Sequence, residues 1–144
     1  MRDDALISGN GGEPRIHHIG IAVESIERSL ELYQADLACE AEPAVEVPQE
    51  QVRAVLIRMG ESRIELLEPT SDDSPIAKFI AQRGEGMHHL AIKVNDLDAV
   101  VRRLRASGRR LVTDSIRGGG AGGYRYIFIH PKSAGGVLLE LIEE

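Results

Sequence analysis

Four side chains in this sequence have the types and spacing to do chemistry together: His18, Glu65, His89 and Glu140. They fall into two matched sets. Positions 17–23 read His-His-Ile-Gly-Ile-Ala-Val, and 71 positions later 88–94 read His-His-Leu-Ala-Ile-Lys-Val. Arg63-Ile64-Glu65-Leu66-Leu67-Glu68 is answered by Val137-Leu138-Leu139-Glu140-Leu141-Ile142, with the glutamates 75 positions apart. A single histidine at a strand start, or a single glutamate on an edge strand, is ordinarily solvated. The recurrence of both in register singles these four out. Glu140 is the most telling, because it is a lone carboxylate in an otherwise apolar stretch. Such a charge is costly to bury unless it is paired or on a metal. Two imidazoles and two carboxylates form a mixed nitrogen and oxygen set suited to a divalent ion such as Co2+, Mn2+, Ni2+, Zn2+ or Fe2+. The set is too mixed and too small for a calcium cage. Four protein ligands leave up to two octahedral positions open, where a substrate can chelate and be polarised.

The elements that would position these groups follow from the hydrophobic pattern. Around His18, side chains alternate with period two. Ile19, Ile21 and Val23 lie on one face, and His18, Gly20 and Ala22 on the other. The first face suits packing on a helix, and the second sets an imidazole beside two small residues. By the same alternation His17 and His88 fall on the apolar faces, which assigns them structural or supporting roles. Each strand leads into helical periodicity, over 24–35 and 95–106. The first helix has Ser25 as N-cap and Ile26, Leu30, Tyr33 and Leu37 at helical spacing. The second has Asp96 as cap, Leu97, Val100, Val101 and Leu104 as its apolar face and Gly108 as its stop. After the first helix, 40–48 reads as a loop or edge, and 52–59 and 63–68 form a hairpin about Gly60-Glu61-Ser62. Ser74-Pro75 starts a short helix by the cap-then-proline rule. In the second half, 109–114, 124–129 and 137–142 are expected strands. The fold class is thus α+β, with two repeated βαβββ modules forming a cupped mixed sheet around a metal site. The organisation is a disordered N-terminal tail (1–14), a first module (15–69), a helical linker (70–85) and a second module (86–144). Pairing of the modules about a pseudo-two-fold would bring the four side chains together.

Composition narrows the function classes. A net charge of −6 and the absence of tryptophan disfavour nucleic-acid and membrane-surface partners. No apolar run approaches the ~18 residues of a membrane span. Cys39 is the sole cysteine, so no intrachain disulfide forms. That suits a reducing, cytoplasmic compartment and reads Cys39 as a small buried residue. The run Arg117-Gly118-Gly119-Gly120-Ala121-Gly122-Gly123 lacks the Gly-Lys-Ser/Thr ending of a phosphate loop, and reads as a flexible loop near a site mouth. Arg102, Arg103, Arg105, Arg109, Arg110, Arg117 and Arg125 make the second half locally basic. They form either a solvated face or a contact for a phosphorylated ligand.

The repeated module with its His, Glu, His and Glu resembles the vicinal oxygen chelate superfamily, which includes glyoxalase I, extradiol dioxygenases and drug-resistance proteins. Within it the chain is most similar to the methylmalonyl-CoA epimerase family. The likeness is carried by 18–23, by Glu65-Leu66-Leu67-Glu68-Pro69, by Ser74-Pro75-Ile76-Ala77-Lys78-Phe79, by Gly86-Met87-His88-His89, and by His130-Pro131-Lys132-Ser133 running on to Glu140. The Ser-Pro-Ile-Ala-Lys-Phe bridge and the His-Pro-Lys-Ser turn are the specific parts, which glyoxalase I lacks. The resemblance implies that His18, Glu65, His89 and Glu140 bind a divalent metal ion, Co2+ first, with Mn2+, Ni2+, Zn2+ or Mg2+ as alternatives. It implies epimerisation of (2R)- and (2S)-methylmalonyl-CoA through C2 deprotonation to a stabilised enolate and reprotonation. It also implies an acyl-CoA substrate and a homodimer. Inversion needs two proton-transfer groups on opposite faces. Glu140 is one. The second is expected at Glu50, with Glu46 as the other nearby carboxylate, because Ala54 stands where some family members carry a glutamate. A glyoxalase I-type lactoylglutathione lyase and a non-catalytic drug-binding protein are the alternative readings.

Overall fold

A computed structural model describes residues 12–144. Most of the expected 1–14 tail lies outside the described residues, and 12–14 carry neither helix nor strand. The elements are β1 (Arg15–Ala22), α1 (Ile26–Leu30), β2 (Val45–Val47), β3 (Val52–Met59), β4 (Ser62–Pro69), α2 (Pro75–Arg83), β5 (Gly86–Lys93), α3 (Leu97–Ala106), β6 (Arg125–Ile129) and β7 (Leu139–Glu143). The chain is mixed α+β. It divides into two compact units, one of His17–His89, the other of Leu90–Glu144 with the described residues up to Ile16.

In the first unit the strands follow the order β2-β3-β4-β1 and then the start of β5. β3 and β4 are antiparallel through a full hairpin, whose turn needs the positive φ of Gly60 (63°). β1 runs parallel to β4, with Gly20 opposite Glu65 and Ala22 opposite Leu67. The expected alternation holds. Val23, Val55, Ile57 and Leu66 pack with Ile26 of α1 in one core, with Ile21, Leu30 and Tyr33 against it. Ser25 caps α1 by accepting from Arg28 N–H at 3.1 Å. The expected helix over 24–35 is α-helical only to Leu30; Glu31–Asp36 widens into a π-helical turn, with Leu37 N–H bonded to Leu32 C=O at 2.9 Å. The wider turn rotates the last positions out of phase, and Leu37, expected on the apolar face, is exposed. Cys39 is half-buried, not buried, against the edge of the same core.

In the second unit the order is β5-β7-β6, with β5 and β7 parallel and β6 and β7 antiparallel. Val94, Leu97, Val101, Ile127, Ile129 and Leu141 form its main core. On the other face of β6, Tyr124, Tyr126 and Phe128 stack edge to face at 6.2 and 5.9 Å. The strand expected over 109–114 is not formed. Leu111 and Arg117 make isolated bridges to Ile129 and Tyr126. Between them the polar groups bond locally: Thr113 Oγ1 donates to Ser115 C=O at 3.0 Å, and Arg105 donates to Asp114 C=O. Short polar side chains that bond nearby backbone compete with a ladder, and here they win.

One device recurs in both units. In the first, Glu68 at the end of β4 accepts from Ile26 N–H at 3.1 Å, and Arg53 bridges Glu68 (3.3 Å) and Glu27 (2.7 Å). In the second, Glu143 at the end of β7 accepts from Leu97 N–H at 3.1 Å, and Arg125 bridges Glu143 (2.6 Å) and Asp98 (3.2 Å). Each carboxylate meets the positive end of its module's helix. Arg125, grouped with the basic cluster on sequence, is therefore committed to its own module.

Candidate metal centre

Strand geometry sets the site. Because Gly20 pairs with Glu65 in the parallel β1–β4 ladder, His18 lies two residues upstream on the same face as that carboxylate. His89 reaches the same place from β5. The His89 imidazole lies where a side chain on Gly20 would be: a Cβ there would sit 2.1 Å from His89 Cε1. Glycine at position 20 is what admits the His89 imidazole.

His18, Glu65 and His89 are all buried. Glu65 Oε1 is 3.4 Å from His18 Nε2 and 3.4 Å from His89 Nε2, and the two Nε2 atoms are 3.1 Å apart. Ligands ~2.1 Å from a common ion and ~90–110° apart lie roughly 3.0–3.4 Å from one another. The donor types and spacings therefore fit a divalent cation. Burial pushes the Glu65 carboxyl up, but its close contacts with the His18 and His89 imidazoles outweigh it and hold the group well below the usual carboxylate range. Glu65 is thus an anion at neutral pH.

The second unit presents its glutamate in a matching register. Glu140 is buried on β7 and pairs with Ala91 of β5, two residues after His89. The arrangement repeats Gly20 opposite Glu65, two residues after His18. Phe128 is the Cα partner of Glu140 on β6, so the aromatic row of that strand walls the carboxylate's face. This row was missed in the sequence, where its alternation inside 124–129 was the available signal.

The expected proton-transfer residues fall differently. Glu50 ends a 3-10 turn (Pro48–Glu50) and is half-buried. It leads into the strand whose Ala54 and Leu56 share the face of Glu65. Glu46 pairs with Arg53, which pairs with Glu68, on the opposite face. Glu46 thus lies on the face away from Glu65. Among the basic residues, Arg109 donates to Ser133 C=O at 3.4 Å, so it too is engaged with its own chain.

The model of the glyoxalase/bleomycin resistance protein/dioxygenase superfamily matches residues 17–128. The chain belongs to that superfamily. Several relatives within it are named methylmalonyl-CoA epimerase. Human mitochondrial methylmalonyl-CoA epimerase is 38% identical over 128 residues, covering 88% of this chain and 72% of the relative. The crystal structure of methylmalonyl-CoA epimerase from Mycobacterium tuberculosis matches with a TM-score of 0.85 at 39% identity, over 99% of this chain and 92% of that one. A variant of the Streptomyces coelicolor methylmalonyl-CoA epimerase in complex with 2-nitronate-propionyl-CoA matches with a TM-score of 0.85 at 37% identity, over 90% and 96%. Superfamily membership agrees with the strand register described above. No helix among the described residues is long and apolar enough to cross a membrane.

Proposed function

We propose that this protein is a metal-dependent epimerase that interconverts (2R)- and (2S)-methylmalonyl-CoA, and that His18, Glu65, His89 and Glu140 hold the metal. The observation that carries the reading is the buried convergence of His18, Glu65 and His89, within a chain that has several relatives named methylmalonyl-CoA epimerase. Glu140 completes the set in this reading, because its register repeats that of Glu65.

The carbon to be inverted lies between a carboxylate and a thioester, so its proton is already weakly acidic. When bound, the ion supplies Lewis-acid stabilisation of the charge that develops on the thioester oxygen. The chain supplies the rest. His18 and His89 present Nε2 lone pairs and Glu65 an anion, all buried, so that the cation is held in a fixed position away from bulk water. Glu140, on a strand walled by Phe128, takes or returns the C2 proton on one face. Glu50 serves the opposite face. It is the half-buried carboxylate at the entry to the strand that shares the face of Glu65. Co2+ as the native ion and a homodimer complete the reading on family likeness, and a cytoplasmic location on the single cysteine.

The test is solvent deuterium incorporation at C2 of methylmalonyl-CoA by metal-loaded protein, with and without chelator. Exchange that chelator abolishes and Glu140→Gln suppresses is expected. Metal-loaded protein that exchanges nothing, or that turns over the hemithioacetal of methylglyoxal instead, refutes the proposal. Glu50→Gln should slow exchange of one epimer more than the other, as loss of one of two opposed groups requires.

A further inference from the structure

We infer that His17 and His88 are positioning residues that hold His18 and His89 in the tautomer whose Nε2 carries a lone pair. The inference rests on the metal reading above and goes on to say how the two imidazole ligands are set.

Side-chain alternation starts His17 and His18 on opposite faces of β1, yet their rings meet. His17 Nδ1 is 2.7 Å from His18 Nδ1, with ring centroids 5.0 Å apart and planes at 76°. The second copy repeats the contact. His88 Nδ1 is 3.0 Å from His89 Nδ1, with centroids at 5.3 Å and planes at 89°. A neutral imidazole has one donor nitrogen and one acceptor nitrogen. An Nδ1···Nδ1 contact therefore has two proton assignments. If His17 donates, the His18 proton lies on Nε2, directed at the other ligands, 3.1 and 3.4 Å away. If His18 donates, its Nε2 is a lone pair directed at them. Only the second assignment leaves a ligand. It requires His17 to offer an unprotonated Nδ1, and the same holds for His88 toward His89. A partner on the remote ring nitrogen is how ligating histidines are commonly fixed in tautomer and orientation. Here a second histidine fills that place in both copies.

The two supports differ in setting. His17 is itself buried. His88 is half-buried and packs edge-on against Phe79 at 5.1 Å, and Phe79 lies beneath the Arg83 guanidinium at 5.6 Å. The Ser-Pro-Ile-Ala-Lys-Phe bridge thereby acquires a task. Ser74 caps its helix through Ile76 N–H, and the helix delivers Phe79 to the ring that steadies His89.

The test is Co2+ affinity by competition titration on wild-type protein, His17→Leu and His17→Asn, with thermal unfolding in chelator as a fold control. Asparagine places an acceptor oxygen near the Nδ1 position, whereas leucine fills space without one. His17→Leu is expected to weaken Co2+ binding about 10–100-fold, and His17→Asn to recover most of that loss at equal chelated stability. His88→Leu should show the same direction. Nitrogen-15 NMR of the Zn2+-loaded wild-type protein should show the His18 proton on Nδ1. His17→Leu that binds Co2+ as tightly as wild type, or His17→Asn as weak as His17→Leu, overturns the inference while leaving the metal site standing. Wild-type protein that takes up no Co2+ overturns the metal reading and this inference with it.

Discussion

Gly20→Ala is the smallest change that tests whether the site depends on close packing of its ligands. The added methyl carbon would meet His89 Cε1 at 2.1 Å, Nδ1 at 2.4 Å and Nε2 at 2.6 Å. Carbon atoms sit comfortably at ~3.5 Å, so the ring must retreat by about 1.4 Å or β1 must move. Neither is free, since the His89 ring is buried against His18 and His88, and β1 is laddered to β4. Overpacking of this kind costs about 1–3 kcal/mol of stability. The functional cost should be larger, because a ~1 Å displacement of a positioned group is worth about 100-fold in rate. The expected outcome is a folded protein with weakened metal affinity and deuterium exchange slowed about 100-fold. The matching slot of the second copy holds Ala91, so the demand for glycine belongs to this contact and not to the repeat. Gly20→Ala with wild-type affinity and exchange would mean that His89 does not need its place beside Gly20, and the geometric account of the site would fail.

Three other outcomes follow from the structure. Free Co2+ at 100 times its Kd should stabilise the fold by about 2.7 kcal/mol, raising Tm by roughly 5–10 °C in thermal scans against a chelator control. Ser74→Ala removes the acceptor for Ile76 N–H at a buried cap and should cost about 1 kcal/mol in denaturant unfolding, read from the midpoint at unchanged slope. His130 Nδ1 accepts from Lys132 N–H at 3.0 Å, while burial and the charges of Arg110 and Lys132 push its pKa below the ordinary imidazole value. The neutral form is thus favoured by folding. Its contribution is present above the ordinary value near ~6.5 and is lost as pH falls from there toward the lower folded value. Proton NMR should show His130 titrating low, and moving upward in Arg110→Ala.

Much of this architecture is legible in the sequence because it depends on local periodicity. The alternation that sets His18 against Ile19, the caps at Ser25, Ser74 and Asp96, and the paired glutamates all appear in the structure at their expected places. What escaped depends on contacts that no short window contains. The π-helical turn at Glu31–Asp36 follows an ordinary helical pattern in composition, and only the backbone pairing of Leu32 with Leu37 reveals it. The 109–114 segment has strand-like residues, but the local bonds of Thr113 and of Asp114 with Arg105 divert it. Arg53 and Arg125 bond to partners 26 and 27 positions away. The approach of His17 to His18 runs against simple alternation, since side chains that start on opposite faces meet through their rings.

The carboxylate clamps at the helix starts also bear on how the chain folds. Glu68 reaches back 42 positions to Ile26, and Glu143 reaches back 46 to Leu97. Loop-closure entropy grows only with the logarithm of length, about 0.6 kcal/mol for each doubling, so the two closures cost nearly the same. Each clamp ties the last strand of a module to its own helix. Each module therefore has the means to close as its own cooperative unit, and native-state hydrogen exchange should find two protected groups of amides, one bounded by each clamp.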